Sequence, residues 1–246
     1  MNKLEKRPKA VMFDLDDTIV SYFGASEKAW KIICEKFTAE NPVDYSADEM
    51  KNILDSVKHE YWSDPVRHKW GREHIREARR EVMLIAMPKL GISDKELLIK
   101  TADEYTDIQK NCVCLFDGSL SALRRIRSSG IKTALITNGS SEGQREKITR
   151  FGLEPLFDEI LIDTEVGFSK PDERIFRLAL RRLKTSPEET VMIGDNPVWD
   201  TEIPQKIGIF SVWNNYAGTS PEEDIPADMT VENISELADF LLSLNC

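Results

Sequence analysis

The chain has 246 residues, of which 41% are hydrophobic and 31% charged. That length suits one large domain, or a domain with a substantial insertion, and it buries a core without disulfide or metal staples. With 33 Lys and Arg against 43 Asp and Glu, the net charge of -10 argues against a general nucleic-acid or acidic-membrane binder, so an anionic substrate would need positive charge supplied at its own site.

In chain order, Met1 to Arg7 leads into no long apolar run, and no later segment reaches transmembrane length; the expected location is the cytoplasm. Ala10-Val11-Met12-Phe13 is a short apolar run that empties into the acidic cluster Asp14-Leu15-Asp16-Asp17-Thr18, the pattern of a buried strand ending in a polar loop. Between Ser21 and Asn111 the period changes. Ala29, Trp30, Ile33 and Phe37 follow helical spacing, as do Trp70, Ala78, Val82 and Ile85, and a further helix is expected from Asp94 to about Ile108. No strand is expected there.

From Leu115 onward strands and helices alternate. Residues 132–136 run into Thr137-Asn138-Gly139, and residues 190–193 into Gly194-Asp195-Asn196-Pro197; residues 159–162 and 209–213 are weaker strands. Helical patterns occupy residues 119–129, 142–151, 172–183, 198–207 and 234–242. The alternation predicts an α/β fold with a parallel sheet covered on both faces. Residues 1–20 and 112–246 would form a Rossmann-like core, and residues 21–111 an inserted, mainly α-helical cap.

In such a sheet, ligands bind beyond the carboxyl ends of the strands. Asp14, Thr137 and Asp195 each fall within two residues of such an end, so they should share one rim. If the chain is extended there, Asp14 and Asp16 project to the same side. Two carboxylates so placed repel unless one is protonated or a cation intervenes. With a cation, Asp14 stays ionised as a nucleophile and Asp16 serves as the acid for a leaving alcohol. Either Asp taken alone is an ordinary turn or cap residue.

Lys170 precedes Pro171, which suits the first position of a helix with Asp172 and Glu173 in its first turn. A lysine is electrostatically misplaced there unless it and the helix start face a shared anion; alone, it would be a surface lysine. Asp195 and Asp200 occupy an acidic strand-to-helix turn whose hard oxygens suit magnesium. Asp195 is expected as a direct ligand and Asp200 as a group that orients it or meets the metal through water, with helix capping the plainer role.

Phe13-Asp14-Leu15-Asp16-Asp17-Thr18, Thr137-Asn138-Gly139, Lys170-Pro171-Asp172 and Gly194-Asp195 through Asp200 resemble, in order and separation, the four motifs of the haloacid dehalogenase-like hydrolase superfamily. The likeness spans nearly the whole chain. The insertion resembles the helical cap of the subclass that includes phosphoglycolate phosphatases. Gly24-Ala25-Ser26, Gln144-Arg145-Glu146-Lys147-Ile148 and Ser169 through Asp172 resemble the branch containing N-acylneuraminate-9-phosphatase and bacterial nucleotidases.

The resemblance implies Mg²⁺-dependent hydrolysis of a small phosphate monoester: a sugar phosphate, a nucleoside monophosphate or a phosphoglycolate-like compound. Asp14 would attack phosphorus and carry the phosphoryl group, and Asp16 would act as acid and then as base. Asp14, Asp195 and the backbone carbonyl of Asp16 would surround the metal. Thr137 and the Asn138 backbone would hold phosphate oxygens, and Lys170 would neutralise charge on Asp14 and the transferring group. An acid at position 16 separates this pattern from the family's dehalogenases and phosphonatases. The expected partner is a small phosphorylated metabolite, with neither a nucleic acid polymer nor a membrane.

Two alternatives stand beside this one, a phosphate-binding protein without turnover and a phosphomutase; a mere binder has little use for Asp16. Pro204 departs from the small residues of relatives and is expected to shorten or kink its helix. In the cap, His59, His68 and His74, with Trp62, Trp70, Arg67 and Arg72, are candidates for a leaving-group pocket, although packing or exposure is the plainer fate of each. Cys34, Cys112, Cys114 and Cys246 make no disulfide framework and are expected as reduced thiols.

Overall fold

The computed structural model describes residues 4–219 and 227–245; Met1 to Lys3 and Cys246 lie outside the described residues. The chain begins with β1 (Ala10–Phe13) and β2 (Val20–Ser21), then passes through five helices: α1 (Phe23–Glu40), α2 (Ala47–Ser63), α3 (Pro65–Glu73), α4 (Ile75–Ala86) and α5 (Lys95–Cys112). It continues with β3 (Cys114–Leu115), α6 (Ser119–Ser128), β4 (Lys132–Thr137), α7 (Ser141–Arg150), β5 (Glu159–Ile162), α8 (Asp163–Val166) and α9 (Glu173–Leu183). Then follow β6 (Thr190–Gly194), a π-helix (Pro197–Glu202), α10 (Ile203–Lys206), β7 (Phe210–Asn214), β8 (Met229–Val231) and α11 (Ile234–Ser243).

Two compact units result, Met1–Ser21 with Leu115–Cys246, and Tyr22–Cys114. In the helical unit, Trp30, Ile33 and Phe37 of α1 pack with Leu54 and Tyr61 of α2, Val82 and Met83 of α4, and Tyr105 of α5. Local chemistry sets the helix starts. Ser46 forms a capping box with Glu49 at the start of α2, and the Asp64 carboxylate caps α3 just ahead of Pro65.

Two expectations need correction here. Helix α2 has no counterpart among the periodic segments recognised in the sequence. The single stripe from Trp70 to Ile85 is in fact split at His74, between α3 and α4. The break resets the helical phase, so Trp70 and Ile85 are each 37% exposed while Ala78, Arg79, Val82, Met83 and Ala86 are buried.

In the other unit, six strands lie in the order β5-β4-β1-β6-β7-β8, and every pair is parallel. Strands β2 and β3 form a separate two-stranded sheet. Ala10, Met12, Ala134, Ile136 and Met192 face one side, where Ile175, Phe176, Ala179 and Leu183 of α9 cover them. Val11, Phe13, Leu135, Val191 and Ile193 alternate with them and are equally buried. Both faces are therefore covered, as long apolar runs in a parallel sheet require. The chain leaves β1 for β4 and β5 on one side, then crosses back to β6, β7 and β8 on the other. The order reverses at β1, which opens a crevice beyond the carboxyl ends of β1, β4 and β6.

The helix after Asp200 also differs from expectation. Residues 197–206 form one uninterrupted helical run, π-helical to Glu202 and α-helical from Ile203, with Pro204 inside it and unable to donate a helical hydrogen bond.

Candidate active site

Asp14 follows β1 directly, and its N–H donates to the Ile193 carbonyl of β6 at 2.9 Å, which locks it onto the rim. Lys170 is only 2% exposed, so the surface-lysine role is excluded. Its Nζ donates to Asp14 Oδ1 and to Asp200 Oδ1, both at 2.6 Å. The Asn138 side chain holds the Lys170 backbone from both sides, Nδ2 donating to the Lys170 carbonyl at 2.8 Å and Oδ1 accepting from its N–H at 2.9 Å.

Helix α9 begins two residues later than the Pro171 expectation, at Glu173, with Asp172 as the cap accepting from the Arg174 N–H. Lys170 thus lies ahead of the helix start, and its ammonium faces two carboxylates instead of sharing an anion with the helix.

Asp200 is 1% exposed, and its Oδ2 accepts from the Asn196 N–H at 3.1 Å. Asn196, not Asp195 or Asp200, caps the π-helix, through bonds from the Val198 and Trp199 N–H groups. The close seat of Asp200 depends on Gly194, since a Cβ there would stand 2.3 Å from the Asp200 carboxylate.

Asp14, Asp195 and Asp200 place carboxylate oxygens within 4.8 Å of one another. Burial, opposed by Lys170 and reinforced by Asp200, raises the Asp14 carboxyl to about 7. Burial, then the charges of Asp14, Asp200 and Asp17, raise Asp195 to about 9. The Lys170 ammonium is itself held protonated: burial opposes its charge, but Asp14 and Asp200 outweigh it. Once all three carboxylates are ionised, one ammonium leaves two of their negative charges without compensation, which is the charge of a divalent cation. The all-oxygen donor set fits magnesium.

Asp16 turns to a second cluster. Lys147 Nζ contacts both of its carboxylate oxygens, at 2.6 Å for Oδ2, and Gln144 Nε2 lies 3.0 Å from Oδ2. The same Gln144 amide reaches Thr137 Oγ1 at 2.5 Å and the Asn138 carbonyl at 2.9 Å. An amide with two protons satisfies at most two of these three acceptors at once, and the Thr137 hydroxyl keeps its own proton for a ligand. Asp17, beside Asp16, takes a left-handed backbone (φ 59°) that turns the chain back toward Val20, whose carbonyl accepts from the Asp17 N–H at 2.7 Å.

The fold therefore gathers Asp14, Lys170, Asp195 and Asp200, and the charge of Asp16 reaches Asp14. Asp16 joins Thr137 through Gln144. Lys147 and Gln144 were not recognised as site residues in the sequence. The available signal was their place on α7, where Gln144, Lys147 and Ile148 form the i, i+3, i+4 face that an amphipathic helix normally makes apolar. His59 and His74 are exposed and His68 half-buried, and all three lie in the helical unit. Cys34, Cys112 and Cys114 are free thiols. Among the described residues, no helix is long and apolar enough to cross a membrane.

A family model for haloacid dehalogenase-like hydrolases matches residues 8–208. The glyceraldehyde 3-phosphate phosphatase of Methanopyrus kandleri is 28% identical over 96% of this chain and 98% of its own. The phosphoserine phosphatase of Thermus thermophilus is 32% identical over 72% of this chain and 65% of its own. Among solved structures, the magnesium-bound HAD-hydrolase YfnB of Bacillus subtilis superposes with a TM-score of 0.74 at 22% identity, covering 96% of this chain and 99% of that one. It shares the fold.

Proposed function

The chain belongs to the haloacid dehalogenase-like hydrolase family, and from that premise we propose that it is a magnesium-dependent phosphatase of small phosphate monoesters working through a phosphoaspartate on Asp14. The observation that carries this reading is the buried Lys170 ammonium bridging Asp14 and Asp200, with Asp195 completing a carboxylate cluster on the sheet rim. Relatives across the full length of the chain are named as phosphatases of small phosphorylated metabolites.

Asp14 and Asp195, with the Asp16 backbone carbonyl, would hold Mg²⁺, and Asp200 stands close enough to take part directly or to orient Asp195. When bound, the cation supplies charge compensation for the carboxylates and for phosphoryl oxygens. Asp14 attacks phosphorus through one carboxylate oxygen, forming a P–O bond as the ester P–O bond breaks. Asp16 gives its proton to the departing alkoxide, which leaves as the alcohol. In the second half, Asp16 takes a proton from water, whose oxygen attacks phosphorus and releases inorganic phosphate and free Asp14.

Lys170 stabilises the charge that spreads over the phosphoryl oxygens near Asp14. The Thr137 hydroxyl donates to one of those oxygens. Lys147 and Gln144 orient the Asp16 carboxylate for the proton it takes from water in the second half-reaction. A carboxylic acid at position 16 suits an oxygen leaving group, which needs a proton, and so supports ester hydrolysis over binding alone.

Rapid-quench incubation with an aryl phosphate and Mg²⁺ tests this. The expected product is protein carrying one phosphoryl group, labile to hydroxylamine and absent from Asp14→Asn. Undiminished turnover by Asp14→Asn would remove the nucleophile.

A further inference from the structure

The helical unit Tyr22–Cys114 contains a cavity of about 110 Å³, framed by α1, α2, α4 and α5. Its walls are aromatic: Trp30 stacks on Tyr105 with ring centroids 3.7 Å apart, and Trp62 completes the apolar side. Arg79, only 7% exposed, enters this cavity. Its guanidinium donates to Tyr22 Oη at 3.0 Å and Gln109 Oε1 at 3.1 Å, and lies over the Tyr105 ring at 5.1 Å. All three partners are neutral, and among the described residues no carboxylate pairs with Arg79. A buried charge without a counter-charge is unfavourable and is ordinarily compensated.

The other cation on the wall is already compensated. Lys58 bonds Asp55 at 2.7 Å and Glu27 at 3.2 Å, and Lys51 closes the same four-membered set at 2.7 and 2.8 Å. Burial opposes ionisation of Glu27 and Asp55, but hydrogen bonds and charge from Lys51 and Lys58 hold both below the usual carboxylate range. One positive charge is left over in the cavity, so a monoanion balances it and a dianion does not.

Ser26 Oγ and Tyr105 Oη are 2.8 Å apart. Whichever donates, the other keeps a proton for a ligand oxygen. A cavity below the roughly 150 Å³ that takes up benzene suits a body of a few carbons rather than a ring.

We propose that this cavity binds a compact organic monocarboxylate, its oxygens on the Arg79 fork and the Ser26–Tyr105 hydroxyls and its short apolar body against Trp30 and Trp62. The planar guanidinium matches a carboxylate with two parallel bonds. The cavity lies wholly within the helical unit, so its occupancy is measured without turnover and separately from the chemistry proposed for Asp14.

The test uses the full chain without added Mg²⁺ and with isobutyrate, its neutral isostere isobutyramide, and malonate as the dianion, followed by tryptophan fluorescence and calorimetry. Isobutyrate should bind saturably, at about millimolar concentration, and about tenfold or more tighter than either other probe. Arg79→Met should abolish that preference and Arg79→Lys should keep part of it. Equal binding of isobutyrate and isobutyramide, no saturable isobutyrate binding, or undiminished binding by Arg79→Met would each overturn the proposal, as would a preference for malonate. If Arg79→Met fails to fold, Ser26→Ala and the comparison of the three probes on the wild-type chain still decide it, since Ser26→Ala should weaken isobutyrate and an unchanged isobutyrate affinity would overturn the hydroxyl contact.

Discussion

Stripping the protein of metal and returning Mg²⁺ at a series of pH values should expose a steep proton competition at Asp14 and Asp195. In the metal-free site burial, with neighbouring carboxylates, sets these groups at about 7 and about 9, against an ordinary 3.8. A cation that binds both must displace whatever protons they hold. Each displaced proton weakens apparent affinity about tenfold per pH unit below the group's own value. Between pH 8 and pH 6, Asp195 would contribute about two powers of ten and Asp14, below 7, about one more. The apparent affinity should therefore fall roughly a thousandfold over that interval.

Calorimetry in two buffers of different ionisation enthalpy counts the protons directly; about one should leave at pH 8 and about two at pH 6. The same shifts govern stability. Both folded-state values lie above the unfolded one, so these groups favour the metal-free fold most below the ordinary 3.8, and that contribution is lost as pH rises through 7 and then 9. Mg²⁺ should accordingly raise the melting temperature more at pH 8.5 than at pH 6. An affinity indifferent to pH, or proton uptake on binding, would refute the assignment of these carboxylates to the metal.

Gly194→Ala should cost about a hundredfold in kcat/KM and roughly 1–3 kcal/mol of stability, because the new methyl displaces a pinned Asp200 by about an ångström; a wild-type rate would show that the seat of Asp200 is immaterial. Lys147→Met should lower kcat by one to two powers of ten, part of the roughly 10²–10⁴ that an oriented base provides, with little change in KM. Partial rescue by Lys147→Arg is expected, and an unchanged kcat would reduce Lys147 to packing. Asn138→Ala strips both bonds from the Lys170 backbone and should destabilise by about 1–3 kcal/mol in thermal melts while lowering kcat; a loss of stability with unaltered kcat would mean that Lys170 keeps its place without Asn138. Leu54→Ala, fully buried in the helical unit, should cost about 2–5 kcal/mol in melts and leave phosphoryl transfer to Asp14 intact; loss of that transfer in folded protein would contradict the assignment of the chemistry to the sheet unit.

Strands β1, β4 and β6 were legible because each is an apolar run followed at once by polar residues, and their carboxyl ends marked Asp14, Thr137 and Asp195 before any geometry was known. The three-residue edge strand β8 was not, since it is too short to show a period. Helix α2 was legible but not recognised: its buried positions, Met50, Leu54, Val57 and Tyr61, follow the i, i+4, i+7, i+11 spacing of an amphipathic helix behind the Ser46 and Glu49 capping box. The break at His74 was hidden because its neighbours continue an apparently helical pattern on either side.

Amino-acid order alone determined the parallel α/β core, the helical insertion and the carboxylates on the rim, because strand and helix periodicity and turn chemistry act over a few residues. Tertiary structure alone decided that Lys170 lies buried between Asp14 and Asp200, that Lys147 and Gln144 hold Asp16, and that Arg79 sits in an aromatic cavity with no counter-charge among the described residues. Lys170 and Asp14 are 156 positions apart, and Lys147 and Asp16 131 apart. Charges so distant in sequence meet only when the sheet order and the burial around them are fixed, and the strength of their interaction depends on how far that burial removes them from water.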